Sequence, residues 1–249
     1  MHGSARLVKY RTPARFKSEF EKALFASHVG PFVSECLVDG TACYLEEPDW
    51  MELYLSLAQE SHYLNDRSPL TTKVRSLIFP VPRVWHDVEE VMKGPQLFND
   101  SALASLTHRC RKLQQSFLDW TEDYKAHCVR LSLAVPPLQE INMRRELFGV
   151  SLECLILIKR LLATVCDRDR VKLESETQAL AHLLLDLQNH PASKHSWLFT
   201  AHEIGIAQIA IVTKDQWESE DQYESDEERR LASRERYTTW SNILRTHAG

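Results

Sequence analysis

Cys36 and Cys43 are separated by six residues in the stretch ECLVDGTACYLEEPDW, a spacing found inside zinc clusters. A structural zinc site needs about four sulfur or nitrogen ligands converging from short loops. No Cys-x2-Cys flanks this pair, and its neighbours Glu35, Asp39, Glu46, Glu47 and Asp49 are acidic where a DNA-reading zinc cluster is rich in Lys and Arg. A metal is therefore not expected here. Nor is a reactive thiol pair: there is no Cys-x-x-Cys and no neighbouring cation to stabilise a thiolate. The stretch reads instead as a packed corner. Gly40 can end one helix and Pro48 can open the next, and the cysteines sit beside the turn as small apolar packers. Tyr44, Leu45 and Trp50 supply the burial, worth about 1.5–3 kcal/mol for each large side chain fully covered.

Other residues that could carry chemistry fare no better. His182, His190, His195 and His202 cluster late in the chain, and HEIGI at His202 begins like a zincin, but Ile206 stands where the second histidine would be. Surface or capping histidines are the reading. CDRDR holds only Asp167 and Asp169, each beside an arginine, and lacks the aspartate-rich run that binds Mg²⁺-diphosphate in helical terpene cyclases. There is no G-x-S-x-G, Walker A loop or G-x-G-x-x-G, and the 7 glycines are too spread to build a phosphate cradle. No catalytic, cofactor-binding or metal-ligating residue is assigned, and a non-enzymatic protein is expected. The alternative is a helical protein that binds or converts a metabolite, with His202 and Glu203 as the polar groups converging on its pocket.

The elements that would position any site are helical from end to end. TPARFKSEFEKALFASHVG offers Thr12 as N-cap and Pro13 as first helical residue. Phe16, Phe20, Ala23 and Leu24 form its apolar face, and Gly30 stops it. A short helix follows from Pro31 to Gly40. Further starts fall at Pro48, with Trp50, Leu53, Tyr54 and Leu57 on one face, and at Ser68-Pro69. A helix ending near Gly94 comes next. Leu103, Leu106, Cys110, Leu113, Phe117, Trp120 and Tyr124 then recur in steps of three and four, an a/d stripe. It fits a dimer seam or an intramolecular bundle helix, and the bundle is preferred because the neighbouring helices also need a partner face. Pro136 and Pro137 break the chain. Gln139 to Cys166 reads as a central, unusually apolar helix, and residues 171–189 and 196–213 as two more. Residues 216–228 form an acidic connection carrying Trp217 and Tyr223. Acids mixed with aromatics can serve as an activation segment, but a solvated link between helices is the reading. Ser225 and Glu228 stand at capping-box spacing, and Leu231, Tyr237, Trp240 and Leu244 give the last helix its buried face. The expected fold is all-α, an irregular array of about nine to eleven helices in one domain spanning 1–249.

Composition agrees with a globular helical protein: 249 residues, 43% apolar and 26% charged. A net charge of −5 does not ask for nucleic acid. The early basic residues Arg6, Lys9, Arg11, Arg15 and Lys17 read as a solvated helix start rather than a phosphate-facing patch. The N-terminus lacks the apolar core of a secretory signal. The best membrane candidate, LECLILIKRLLATVC, carries Glu153, Lys159 and Arg160. Six scattered cysteines, Cys36, Cys43, Cys110, Cys128, Cys154 and Cys166, suggest reduced thiols of the nucleus or cytoplasm.

At this point a family enters. FEKALFASHVGPFVSECLVDGTACYLEEPDW resembles part of the regulatory region of fungal Zn(II)2Cys6 transcription factors, the fungal-specific transcription factor domain. Its members commonly show an Ala-Leu-Phe helix, Gly-Pro, a short helix and a Cys-Phe-Leu-Glu-x-Pro-x-Trp corner. The matching positions are Ala23, Leu24, Phe25, Gly30, Pro31, Cys43, Tyr44, Leu45, Glu46, Pro48 and Trp50. His2 and Gly3 look like the tail of a preceding His-x-x-Gly element. FTAHEIGIAQIAIVTKDQWE and YTTWSNILRTHAG resemble the last two helical elements, so the likeness runs from about residue 2 to residue 246. The six-cysteine basic cluster of the family is absent, so its DNA-binding residues map onto no position. The chain looks like the C-terminal part of such a factor: a shortened gene, a cut chain or a stand-alone descendant. The resemblance implies a nuclear regulatory module, often of secondary-metabolite clusters. It would respond to a small-molecule effector, a coregulator or a second copy, with no direct nucleic-acid contact, no zinc of its own and no membrane.

Overall fold

The computed structural model describes residues 8, 10–59, 65, 67–131, 138–188, 197–219 and 223–248. His2, Gly3, the break at Pro136 and Pro137, the 189–196 loop with His190 and His195, and residues 220–222 lie outside the described residues. The described residues are all-α, 87% helical and without a strand, as expected. Nine helices longer than one turn run in the order α1 Glu19–Asp39, α2 Pro48–Leu55, α3 Pro69–Ile78, α4 Val81–Lys93, α5 Asp100–Leu131, α6 Leu138–Val165, α7 Arg170–Gln188, α8 Trp197–Val212 and α9 Asp226–Ala248. The chain falls into two compact units, residues 1–86 and 87–249, a finer division than the single span drawn from sequence.

In the first unit, local signals set most helix starts. Ser68 caps α3 by accepting the Thr71 amide at 3.1 Å, with Pro69 at the first helical position. Pro48 opens α2, which buries Trp50 and Tyr54. The long first helix departs from expectation twice. Its N-cap is Ser18, not Thr12: Ser18 and Glu21 form a reciprocal capping box, and Pro13–Arg15 is a separate 3-10 turn. Glu21 satisfies the Ser18 amide, which Thr12 could not have matched with Arg15 in the corresponding place. The helix also runs unbroken through Gly30 and Pro31 to Asp39, so the two expected helices are one. A proline crowds the residue before it, and Gly30 has no Cβ to be crowded. Gly40 closes α1 in the left-handed region, at φ 63°.

The buried face of α1 is Phe25, Val29, Val33, Cys36 and Leu37, while Phe20, Ala23 and Leu24 are exposed, contrary to the predicted face. At about 100° per residue, Phe20 lies roughly 140° round the helix from Phe25. Seven rings knit the unit. Phe25 stands 5.4 Å from Phe16, 5.7 Å from Trp50 and 6.4 Å from Tyr54, Tyr44 stands 4.8 Å from Trp50 and 4.5 Å from Phe32, and Tyr54 reaches Phe79 at 4.9 Å. Each such pair adds about 0.5–1.5 kcal/mol beyond its area.

In the second unit, α6 is the central helix: every residue from Ser151 to Val165 is buried. It packs against α5, α7 and α8. The α5 stripe points into this unit, with Leu106, Cys110, Leu113, Phe117, Trp120 and Tyr124 all buried. Those residues are core, and the dimer-seam reading of them is set aside because the face is already covered within the chain. α9 buries Tyr237, Trp240 and Leu244 but leaves Leu231 exposed. The step of six residues from Leu231 to Tyr237 turns about 240°, off the common face. No described helix is long and apolar enough to cross a membrane.

Candidate effector pocket

A cavity of about 220 Å³ opens in the first unit, walled by Phe25, His28, Pro31, Phe32, Tyr44 and Leu45. It sits where the α1 hydrogen-bond ladder is interrupted. Pro31 has no N–H, so the usual bond back to the Ser27 carbonyl cannot form, and both residues line the cavity. His28 Nδ1 donates to the Leu24 carbonyl at 2.8 Å, which leaves Nε2 as the acceptor in the neutral ring. The far wall is the corner that follows Gly40. The short 3-10 turn Tyr44–Glu46 buries Tyr44 and Leu45, and Tyr44 packs edge-on against Trp50. Burial, followed by the nearby Cys43 and Cys36 groups, pushes the Tyr44 phenol above its ordinary range, so it stays neutral. An engineered apolar cavity of about 150 Å³ holds benzene. By that measure this one admits a single ring with small substituents, with a few polar edges from Ser27, His28 and Glu35.

Cys36 and Cys43 lie just behind this wall, 3% and 1% exposed and neither in a disulfide. The neighbouring Cys36, together with burial, pushes the Cys43 thiol far up. That burial fits the expectation of cysteines that pack beside the turn.

The second unit holds a different polar centre. Arg160 and Glu174 form an ion pair at 2.7 Å with both side chains 0% exposed. The guanidinium also donates to the Ala210 carbonyl at 2.9 Å and to Thr213 Oγ1 at 3.1 Å, and lies 4.5 Å from the Trp217 ring. Gln178 donates to Glu174 and to the Ala210 carbonyl. Desolvation lowers the Arg160 pKa to about 10 against the pull of Glu174, and desolvation raises that of Glu174 against the pull of Arg160. Arg160 Nε, Glu174 Oε2 and Trp217 Nε1 are buried without a hydrogen-bond partner among the described residues. The pair thus ties α6, α7 and α8 together at a cost in solvation. Periodicity could not reveal it, because its members lie 14 and 50 residues apart.

The remaining sequence candidates are used by the fold. Asp167 accepts from Arg170 at 2.9 Å and Arg236 at 2.7 Å, and Asp169 pairs with Arg111 at 2.8 Å, so CDRDR is an ion-pair junction. Trp217 is fully buried, its carbonyl held by Arg170, and the Tyr223 hydroxyl accepts from Arg236. The aromatics of the acidic connection therefore pack inward, while Glu224 and Asp226–Glu228 are exposed. Ser225 accepts the Glu228 amide, as its spacing predicts, but Glu228 reaches back to the Glu224 amide. His182 is exposed on α7; His202 has its backbone in α8 and its side chain outside the described residues. Glu203 is buried with its carboxylate over Gly149, where a Cβ would stand 2.3 Å from Oε2. Among the described residues no group of three His, Cys, Asp or Glu is placed to hold a metal.

Comparisons with protein-family models, with curated proteins and with solved structures find no match.

Proposed function

We propose that this chain is an effector-responsive regulatory domain of the fungal zinc-cluster transcription-factor type, acting in the nucleus without contacting DNA itself, and that its effector occupies the cavity at the Pro31 break. One observation carries the reading. Four of the positions on which the family resemblance rests, Phe25, Pro31, Tyr44 and Leu45, come from α1 and from the corner that follows it, and converge as walls of one cavity. A corner kept only for packing has no need of a hollow beside it, whereas apolar walls with few polar edges suit a small aromatic metabolite. Catalysis is not part of the proposal: Ser27 Oγ and His28 Nδ1 stand 3.3 Å apart in the cavity wall, but both also donate to the Leu24 carbonyl, at 2.7 and 2.8 Å, and so are engaged by the backbone of α1.

The reading is tested by fusing the chain to an unrelated DNA-binding domain and following a reporter in a fungal host, with and without Phe32→Trp to fill the cavity. Reporter output should depend on the fused chain and lose its response to added metabolite extract in the filled variant. Output identical to the DNA-binding domain alone would overturn the regulatory role. Stoichiometric zinc, or salt-resistant specific DNA binding by the isolated chain, would overturn it equally.

A further inference from the structure

We infer that the effector of this cavity is a primary aromatic amine in its ammonium form, with a second hydrogen-bond donor on its ring, and not an aromatic acid. The inference rests on the effector reading above and adds the chemistry of the ligand. The polar edges of the cavity offer mainly acceptors. At one end stand Ser27 and His28. The Ser27 hydroxyl donates to the Leu24 carbonyl at 2.7 Å, and His28 Nδ1 donates to the same carbonyl at 2.8 Å. Both donors are thereby engaged inside α1. What remains is the Ser27 Oγ lone pairs and, in the neutral ring, His28 Nε2, and these accept. The Ser27 carbonyl joins them, because Pro31 brings no N–H to close that rung. At the other end stands Glu35, whose carboxylate is acceptor-only. Glu35 already interacts within the chain, and its two oxygens, with about four acceptor sites, leave capacity for a ligand. Tyr44 keeps its phenol proton and so adds no charge.

Charge points the same way. Among the described residues that line the cavity there is no Lys or Arg, and Glu35 is the one acid. The chain that leaves the Tyr44–Leu45 wall continues into Glu46 and Glu47. A carboxylate placed here would meet acceptors at both ends and lose its water with no cation to replace it. An ammonium brings three N–H donors and no acceptor, the complement of this lining. Spacing sets the shape of the ligand. His28 and Glu35 are seven residues apart, so they share a face of α1 about two turns and about 10 Å apart along its axis. Phe32 lies between them, and Phe25, Tyr44 and Leu45 complete the apolar middle. A single ring fills that middle, with its ammonium-bearing arm toward Glu35 and a ring hydroxyl toward the Ser27–His28 end.

The test is isothermal titration calorimetry of the full chain with tyramine, phenethylamine, 4-hydroxyphenylacetate and benzene as probes. Tyramine should bind about tenfold or more tighter than 4-hydroxyphenylacetate, with phenethylamine between them. Glu35→Gln should remove most of that preference, and Phe32→Trp should weaken every probe by filling the space. The wild-type ranking carries the test, so a variant that fails to fold does not blunt it. An acid that binds as tightly as tyramine, or benzene that binds where neither amine does, would overturn the ligand class and leave the effector cavity standing. Tyramine affinity untouched in folded Phe32→Trp would overturn the placement of the amine in this cavity. Binding by none of the probes would overturn the effector cavity and this inference together.

Discussion

Both units bury rings, but they differ in what stands at the centre of the core: rings in the first unit, and in the second an aliphatic helix with a charged pair. Residues 1–86 are held by rings: Phe16, Phe25, Phe32, Tyr44, Trp50, Tyr54 and Phe79 touch in succession, and a hollow remains beside them. Residues 87–249 are held by an aliphatic central helix with a buried ion pair in its midst. Rings are large and rigid, and few of them fill volume without gaps. Aliphatic side chains fill volume well but specify little, and the Arg160–Glu174 pair restores a single register among α6, α7 and α8. The lesson is that apolar packing can leave room for a ligand, whereas a charged centre needs every neighbour in place.

The comparison can be broken by mutation. Trp50→Ala removes the ring that both Phe25 and Tyr44 touch, and should cost about 3–5 kcal/mol in denaturant unfolding, with Trp50→Phe well below that. Arg160→Met strands Glu174 and should cost about 3–5 kcal/mol. Adding Glu174→Leu should recover much of the loss, since both charges are disfavoured by burial. If the double variant is as unstable as the sum of the singles, the two residues are not coupled and the contrast between the units fails. Gly149→Ala should cost about 1–3 kcal/mol by displacing the Glu203 carboxylate, with near-ultraviolet dichroism as a second readout. Ser18→Ala, which removes the α1 cap, should cost about 1 kcal/mol.

A pH titration sharpens the same contrast within the second unit. Burial pushes Glu89 up, but Arg245 and Lys93 hold its carboxyl below 4.5 overall. Its contribution is therefore present above pH 4.5 and lost as pH falls through the folded value, so Glu89→Gln should flatten the acid limb of stability against pH. Glu174 is shifted the other way, and its folded pKa lies above 4.5. Its contribution is present below pH 4.5 and declines as pH rises through the folded value, so Glu174→Gln should remove a slope of opposite sign, measured by urea midpoints across the range.

What could be read from the sequence was local. Pro48 and the Ser68-Pro69 pair start helices because capping and proline geometry act within one turn, and the α5 stripe is legible because burial repeats with the helix period. The Ser18 cap was hidden by a competing Thr-Pro signal six residues earlier, although Glu21 at capping-box spacing marked it. The partners of Arg160, Asp167 and Arg236 could not be read, since each pair is fixed by how separate helices dock. The cavity is a property of what is missing between side chains. Its only sequence trace is Gly30-Pro31 inside an otherwise helical run.

That dipeptide has a consequence for cooperativity. A helix propagates because each new residue adds a bond to a ladder already begun, and Pro31 omits one rung. Fraying that starts at Asp39 therefore meets a natural stopping point at Gly30 instead of running on to Ser18. The segment Pro31–Asp39 becomes a separate melting block within a continuous rod. Amide exchange should show two protection levels along α1, divided at Pro31: one helix in shape and two in its opening.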